Sequence, residues 1–381
     1  MKYLHPAKLS ELIETHAKAE LDSNKIGGKE IVIHQNGKPV YHGLFGYASA
    51  NGTKLRKNMI FRAASMTKPL TAAVILHLWD RGAVDLERDV SYYYPAMKNL
   101  QIAVIENGEI RTTVPAKNSI LVSDLLSHTG GVGCGPVDVL LPVKTNRMTQ
   151  KEAIEIICRN PLAFEPRTNQ SYSATDAFDL AAGIAETVSG MAYEDYLRQN
   201  IFEPLQMHDT TFSPTKEQRN RMVSMHDRTA EGKSVDAPMP ENCVFEDYIP
   251  ERKAAGAGIA TTAEDYIRFA DMLCRNGVSP DGTRVLSENA VKRMSTPNVP
   301  AEINMGCEQW GLGVRVIAEE GYPHGLGVGC FGWSGAYGTH FWIDPVNKLS
   351  VVMMKNSRYD GGAGNRSACE LERDVCAALT E

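Results

Sequence analysis

The chain has no apolar run approaching the ~20 residues that a membrane-spanning helix needs. It has no large excess of one charge: 40 Lys and Arg face 46 Asp and Glu, a net charge of -6, which argues against a surface for nucleic acid or anionic lipid. Eight cysteines (134, 158, 243, 274, 307, 330, 369 and 376) include no C-x2-C pair, so zinc or iron–sulfur ligation has little support. There is no H-E-x-x-H, no Walker motif and no G-x-S-x-G elbow, which argues against zincin, P-loop and ordinary α/β-hydrolase chemistry. Gly327, Gly329 and Gly332 satisfy G-x-G-x-x-G, yet no strand is evident before them and no helix after. Internal repeats and low-complexity tracts are missing too. The first residues, Met1 to Lys8, run into Glu11, Glu14 and His16 with no apolar h-region, so they read as an amphipathic helix and not as a signal peptide. Together with the size of the chain, this predicts a cytoplasmic protein with free, mostly buried thiols.

What is present is enough for a substantial core. The 381 residues are 43% apolar and 23% charged, which suits one large domain or two lobes sharing a core. Residues 6–22 read as a helix. Two β-rich runs, Glu30–Gln35 and Pro39–Phe45, flank Asn36-Gly37 and predict a hairpin, because both turn residues tolerate positive φ. The middle of the chain reads as helical. Leu70, Ala73, Val74, His77 and Leu78 share one face, with Gly82 ending that helix; Asp176–Val188, Tyr193–Ile201 and Glu264–Cys274 follow. Strand character returns in Gly311–Ile317, Gly338–Ile343 and Leu349–Met354, and residues 366–380 close the chain as a helix. Strands at both ends around a helical middle predict an α/β (α+β) fold: an antiparallel sheet built from both termini, with residues 1–60 and 300–381 in one lobe and 61–299 in a helix-rich lobe.

Ser65-Met66-Thr67-Lys68 stands just before an apolar helix, and Pro69 marks the first turn. Positions i and i+3 share a helical face, so Ser65 and Lys68 are neighbours. A serine hydroxyl is a weak nucleophile that needs a base, and a desolvated lysine amine can serve as one. The helix N-terminus adds N–H donors where negative charge develops. An S-x-x-K match arises by chance about once or twice in such a chain, and Ser213-Pro214-Thr215-Lys216 is a second copy, in a polar turn. Only the Ser65 copy opens a buried helix. Two further segments add to it. Tyr172, in Ser171-Tyr172-Ser173-Ala174, offers a phenol for base or relay work, against the commoner fate of a core tyrosine. Phe331–Gly338 reads as a glycine-rich turn leading into a strand, where Gly335 permits close approach of backbone and the Ala336 amide offers an oxyanion donor. His128 invites a Ser-His-Asp reading, but a lone histidine on such a loop is more often structural.

With these residues in view, the chain resembles the serine β-lactamase and penicillin-binding-protein superfamily, above all its class C-like branch with the family VIII carboxylesterases. The resemblance runs through Phe61–Lys68, Asp124–Gly131, Tyr172-Ser173-Ala174, Ile201–Leu205, Ala255–Thr262 and Trp333-Ser334-Gly335, in order along most of the chain. It implies Ser65 as nucleophile, Lys68 and Tyr172 sharing proton transfer, and the amides of Ser65 and Ala336 as the oxyanion hole. It also implies that Ala174, Trp333, Ser334 and Gly335 face the substrate, and that neither metal nor organic cofactor is used. Two positions depart from the β-lactam-reading pattern. Ala174 replaces an asparagine that bonds the substrate amide, and Trp333 replaces a cation that meets the substrate carboxylate. Losing a charge-assisted partner costs about 1.5–3 kcal/mol of recognition. The expectation is therefore an esterase acting on small ester or amide substrates, with a β-lactamase or D,D-peptidase as the alternative. A catalytically idle binding or sensing homologue is the reading from another class. Residues 132–150, 222–253 (with Pro238, Pro240, Phe245, Tyr248 and Pro250) and 299–310, ending in Trp310, are the candidate pocket-shaping loops.

Overall fold

The structure is a computed structural model that describes residues 1–23, 26–140, 148–239, 251–303 and 305–380. Cys243 and the loop residues Pro240, Phe245, Tyr248 and Pro250 lie outside it. The other seven cysteines are free; Cys134, Cys330 and Cys369 are buried, and the remaining four are only half-buried. No helix among the described residues is long and apolar enough to cross a membrane.

A seven-stranded antiparallel sheet joins the two ends of the chain. Its strands are β1 (Gly28–Gln35), β2 (Lys38–Gly46), β3 (Glu308–Trp310), β4 (Arg315–Ile317), β5 (Phe331–Ser334), β6 (His340–Asp344) and β7 (Leu349–Met354). They lie in the order β3-β4-β5-β6-β7-β1-β2, so β1 pairs with β7 from the far end of the sequence. The β1–β2 turn is the expected one, with Asn36 at φ 55° and Gly37 at φ 70°.

Alternation decides what each face of the sheet meets. Ile31, Ile33, Trp342, Val351 and Met353 pack with Leu9, Ile13, Leu371 and Val375, from helices α1 (Pro6–Asp22) and α6 (Arg366–Ala378). Val32, Phe341, Ile343, Val352 and Met354 point the other way into the larger core, where helix α5 (Ala263–Cys274) lies across β1, β6 and β7. Helix α2 (Thr67–Asp80) runs through the centre of that core and packs on α4 (Asp176–Ser189), as does the short helix α3 (Val122–Ser127). The expectation of one apolar face on α2 is corrected here. Thr71, Ala72, Ile75 and Leu76 are buried as fully as Leu70 and Val74, because neighbouring helices and the segments at Ala255 and Gly313 close around it.

Other boundaries also move. Gly311–Val314 stays outside β4 and Gly338-Thr339 outside β6, while Phe331–Ser334, expected as a turn, is strand β5 paired with β6. The helix at Tyr193 changes to a π-turn over Arg198–Phe202. The middle is not purely helical: Gln101–Glu106 and Glu109–Pro115 form a β-ribbon around Asn107-Gly108.

Candidate active site

Ser65 owes its position to a short strand that turns abruptly into α2. Phe61-Arg62 pairs with Ala260-Thr261, and the Ala63 amide donates to the Ile259 carbonyl at 2.9 Å. Ala64 then takes φ 47°, a left-handed conformation that costs a non-glycine residue about 1–2 kcal/mol. The Thr67 hydroxyl, donating to the Ala64 carbonyl at 2.7 Å, helps hold it there. Ser65 therefore sits in a 3-10 turn, Ala64–Met66, one step ahead of the α-helix proper.

Lys68 lies on the first turn of α2 with its side chain buried. Its Nζ is 3.5 Å from Ser65 Oγ, 2.6 Å from the Ala174 carbonyl and 2.9 Å from the Gly256 carbonyl. Carbonyls only accept, so two tetrahedral directions of the nitrogen are spent as N–H donors and the third faces Ser65. The same Nζ stands 4.5 Å from the Tyr172 ring centroid and 5.2 Å from that of Phe178.

The Gly256 carbonyl is placed by side chains the sequence did not single out. Asp179 of α4 accepts from the Ala255 amide at 2.8 Å and forms a buried ion pair with Arg252. Thr71 Oγ1 donates to the Ala255 carbonyl at 2.6 Å. A Cβ on Gly256 would come within 2.6 Å of the Ala174 oxygen and 3.3 Å of Lys68 Nζ, so glycine is what lets the two carbonyls share one ammonium or amine. The Ala255–Thr262 segment belongs to the resemblance, but its sequence carries no local signal for this contact.

Tyr172, Trp333 and Trp310 form an aromatic wall beside the lysine. Trp333 Nε1–H donates to Tyr172 Oη at 3.2 Å, and ring centroids are 5.5 Å apart for Tyr172–Trp333 and 4.4 Å for Trp310–Trp333. His128 stands behind this wall, 4.6 Å from Tyr172 and 4.4 Å from Trp310. Its Nδ1 accepts the Ser173 amide at 3.0 Å, which leaves the ring hydrogen on Nε2. Burial, and then the charge of Lys68, push the pKa of His128 well below the ordinary histidine value. A buried neutral ring whose Nδ1 is occupied by backbone is a prop for the Tyr172 segment, in line with the structural reading of this residue.

Of the other expected residues, Gly335 and Ala336 occupy the turn after β5. Among the described residues no acceptor takes the amides of Ser65 or Ala336. Ala174 joins the site through its carbonyl. The expectation for Ser334 is corrected: alternation along β5 turns its hydroxyl away from Trp333, to a 2.8 Å hydrogen bond with His340 Nδ1. His340 Nε2 in turn meets Glu372 Oε1 at 3.1 Å, and Glu372 bonds Arg315 and Tyr322. Burial pushes the Glu372 carboxyl up, but His340 and Arg315 outweigh it and hold the group at about 2.

Directly after the Tyr172 segment, burial and then the neighbouring Asp179 push the Asp176 carboxyl up to about 7. A carboxyl raised in the folded state stabilises at low pH, and that contribution is lost as pH rises from 3.8 through 7. Asp176→Asn, which can still accept from Thr175 Oγ1, is therefore expected to be more stable than the parent by a few kcal/mol at about pH 8, with the gap closing towards about pH 4. Thermal unfolding of both proteins across that range checks it; equal stability at about pH 8 would count against the assignment.

Residues 13–369 match the beta-lactamase family. Protein Rv1367c of Mycobacterium tuberculosis is 28% identical over 355 residues, covering 87% of this chain and 86% of that protein. Esterase EstB of Burkholderia gladioli is 25% identical over 390 residues, covering 95% of this chain and 94% of that protein. The structure of EstCE1, described as a hydrolase with promiscuous acyltransferase activity, superposes with a TM-score of 0.78 at 19% identity, over 97% of this chain and 99% of that one. The family match spans nearly the whole chain: the chain belongs to the beta-lactamase family.

Proposed function

We propose that the chain is a serine hydrolase that forms an acyl-enzyme on Ser65 and acts on small, neutral carboxylic esters. The observation that carries this reading is the surroundings of Lys68 Nζ. With two directions spent on the Ala174 and Gly256 carbonyls, the remaining direction of the nitrogen points to Ser65 Oγ, 3.5 Å away. The amine takes the hydroxyl proton as Oγ bonds to the ester carbonyl carbon, and the amides of Ser65 and Ala336 receive the charge that forms on the carbonyl oxygen. Tyr172 passes the proton to the departing alcohol as the ester C–O bond breaks, leaving the acyl group on Ser65. Water then adds to the acyl carbon, the Ser65 C–O bond breaks, and the acid leaves with the serine proton restored.

The substrate class follows from Trp333. An indole donates one N–H, here already given to Tyr172 Oη, and brings no positive charge to meet a carboxylate. The names of EstB as an esterase and EstCE1 as a hydrolase support the same class. Short p-nitrophenyl esters are expected to show kcat/KM values about ten- to a hundredfold above those of nitrocefin or a D-Ala-D-Ala peptide, the factor set by a missing charge-assisted partner. A clear preference for nitrocefin would overturn the assignment.

A further inference from the structure

Ala336 belongs to the turn 335–339 between β5 and β6. The turn is closed on itself by Gly335 N–H to the Thr339 carbonyl at 2.8 Å and Gly338 N–H to the Gly335 carbonyl at 2.9 Å. The loop after β7 braces it, through Gly362 N–H to the Gly335 carbonyl at 3.0 Å and Ser357 N–H to the Tyr337 carbonyl at 2.9 Å. None of these bonds ties the turn to the segment that carries Ser65. A bond from buried Thr339 does: it donates its hydroxyl to the Ala63 carbonyl at 2.9 Å, across 276 residues of sequence. That carbonyl also accepts the Met66 amide at 3.2 Å, so it is the oxygen that opens the 3-10 turn holding Ser65. A Cβ on Gly335 would come within 2.1 Å of Thr339 Oγ1 and 2.3 Å of the Ala63 oxygen. The missing side chain at Gly335 is thus what leaves room for the bond.

We propose that Thr339 is the positioning residue that sets the Ser65 and Ala336 amides at the separation an oxyanion needs. The inference rests on the reading of Ser65 as the acylated residue. Oxyanion donors work when both lie about 2.7–3.1 Å from the charged oxygen, and these two come from distant parts of the chain. A hydroxyl that reaches from the base of one donor's turn to the first carbonyl of the other's fixes that spacing. Threonine suits the task, because its branched Cβ restricts χ1 and aims the hydroxyl. Being fully buried, Thr339 touches no substrate.

The test compares Thr339→Val and Thr339→Ser with the parent and Ser65→Ala. It measures kcat and KM on a short p-nitrophenyl ester, inhibition by a boronic acid that adds to a nucleophilic serine, and Tm. Thr339→Val is expected to lose about ten- to a hundredfold in kcat with KM unchanged, and to bind the boronate correspondingly less well. Thr339→Ser should recover most of both. Gly335→Ala, which pushes a methyl into the same bond from the other side, should reproduce the loss and carries the test if the valine variant does not fold. Parent-like kcat in Thr339→Val or Gly335→Ala, with only Tm lowered, would overturn the proposal and leave Thr339 a structural stitch. Hydrolysis that survives in Ser65→Ala would instead sink the reading of Ser65, and this inference with it.

Discussion

Ser65→Ala is expected to lower kcat for ester hydrolysis by about a millionfold, the scale seen when the nucleophile of a serine hydrolase is removed. The same substitution should abolish the mass increase produced by a fluorophosphonate probe. Its structural cost is small. Ser65 is only partly buried, and among the described residues its hydroxyl has one weak partner, Lys68 Nζ at 3.5 Å. Tm should therefore stay close to the parent value while turnover disappears. That separation matters, because a catalytically idle binding homologue would show neither labelling nor turnover before the substitution. Hydrolysis that continues in Ser65→Ala would place the nucleophile elsewhere.

Lys68 should behave differently. Lys68→Met keeps the apolar stem against Tyr172 and Phe178 and removes the nitrogen. Loss of a general base is expected to cost about a hundred- to ten-thousandfold in kcat. The Ala174 and Gly256 carbonyls also lose their common donor, at about 1–3 kcal/mol for each buried acceptor left unpaired. Lys68 variants should thus lose activity and stability together, whereas Ser65→Ala loses activity alone. Lys68→Arg sharpens the mechanism, since a guanidinium carries charge and donors but does not give up its proton. Activity retained in Lys68→Arg would make the lysine an electrostatic partner and leave base catalysis to another group.

What the sequence disclosed about this site follows from distance along the chain. Ser65 and Lys68 are three residues apart on a helix start, so spacing alone placed them side by side. The β1–β2 hairpin was equally local, and its Asn36-Gly37 turn announced it. The ribbon around Asn107-Gly108 carries the same turn signal, but its mixed residues, such as Thr112 and Thr113 beside Glu109 and Arg111, lack a clean apolar alternation. The contacts that finish the site have no such signal. Lys68 reaches Gly256 across 188 residues, and Thr339 reaches Ala63 across 276. Nothing in either local sequence marks the partner. Ser334 shows a subtler limit. The resemblance implies that Ser334 faces the substrate together with Trp333, but the segment is a strand, and its two-residue period sends Trp333 and Ser334 to opposite faces.

The pairing of β1 with β7 has a consequence for how the protein is made. On a ribosome the apolar stretch Ile31-Val32-Ile33 emerges early, with β2 as its only neighbour, and waits for Leu349–Met354 before its other edge is covered. Helix α1 waits longer still for α6. Ser65 and Lys68 leave the exit tunnel long before Thr339 and Ala336 are translated. A growing chain therefore carries its serine and lysine without the turn that completes the site, and the geometry closes only once the last strands of the sheet are synthesised.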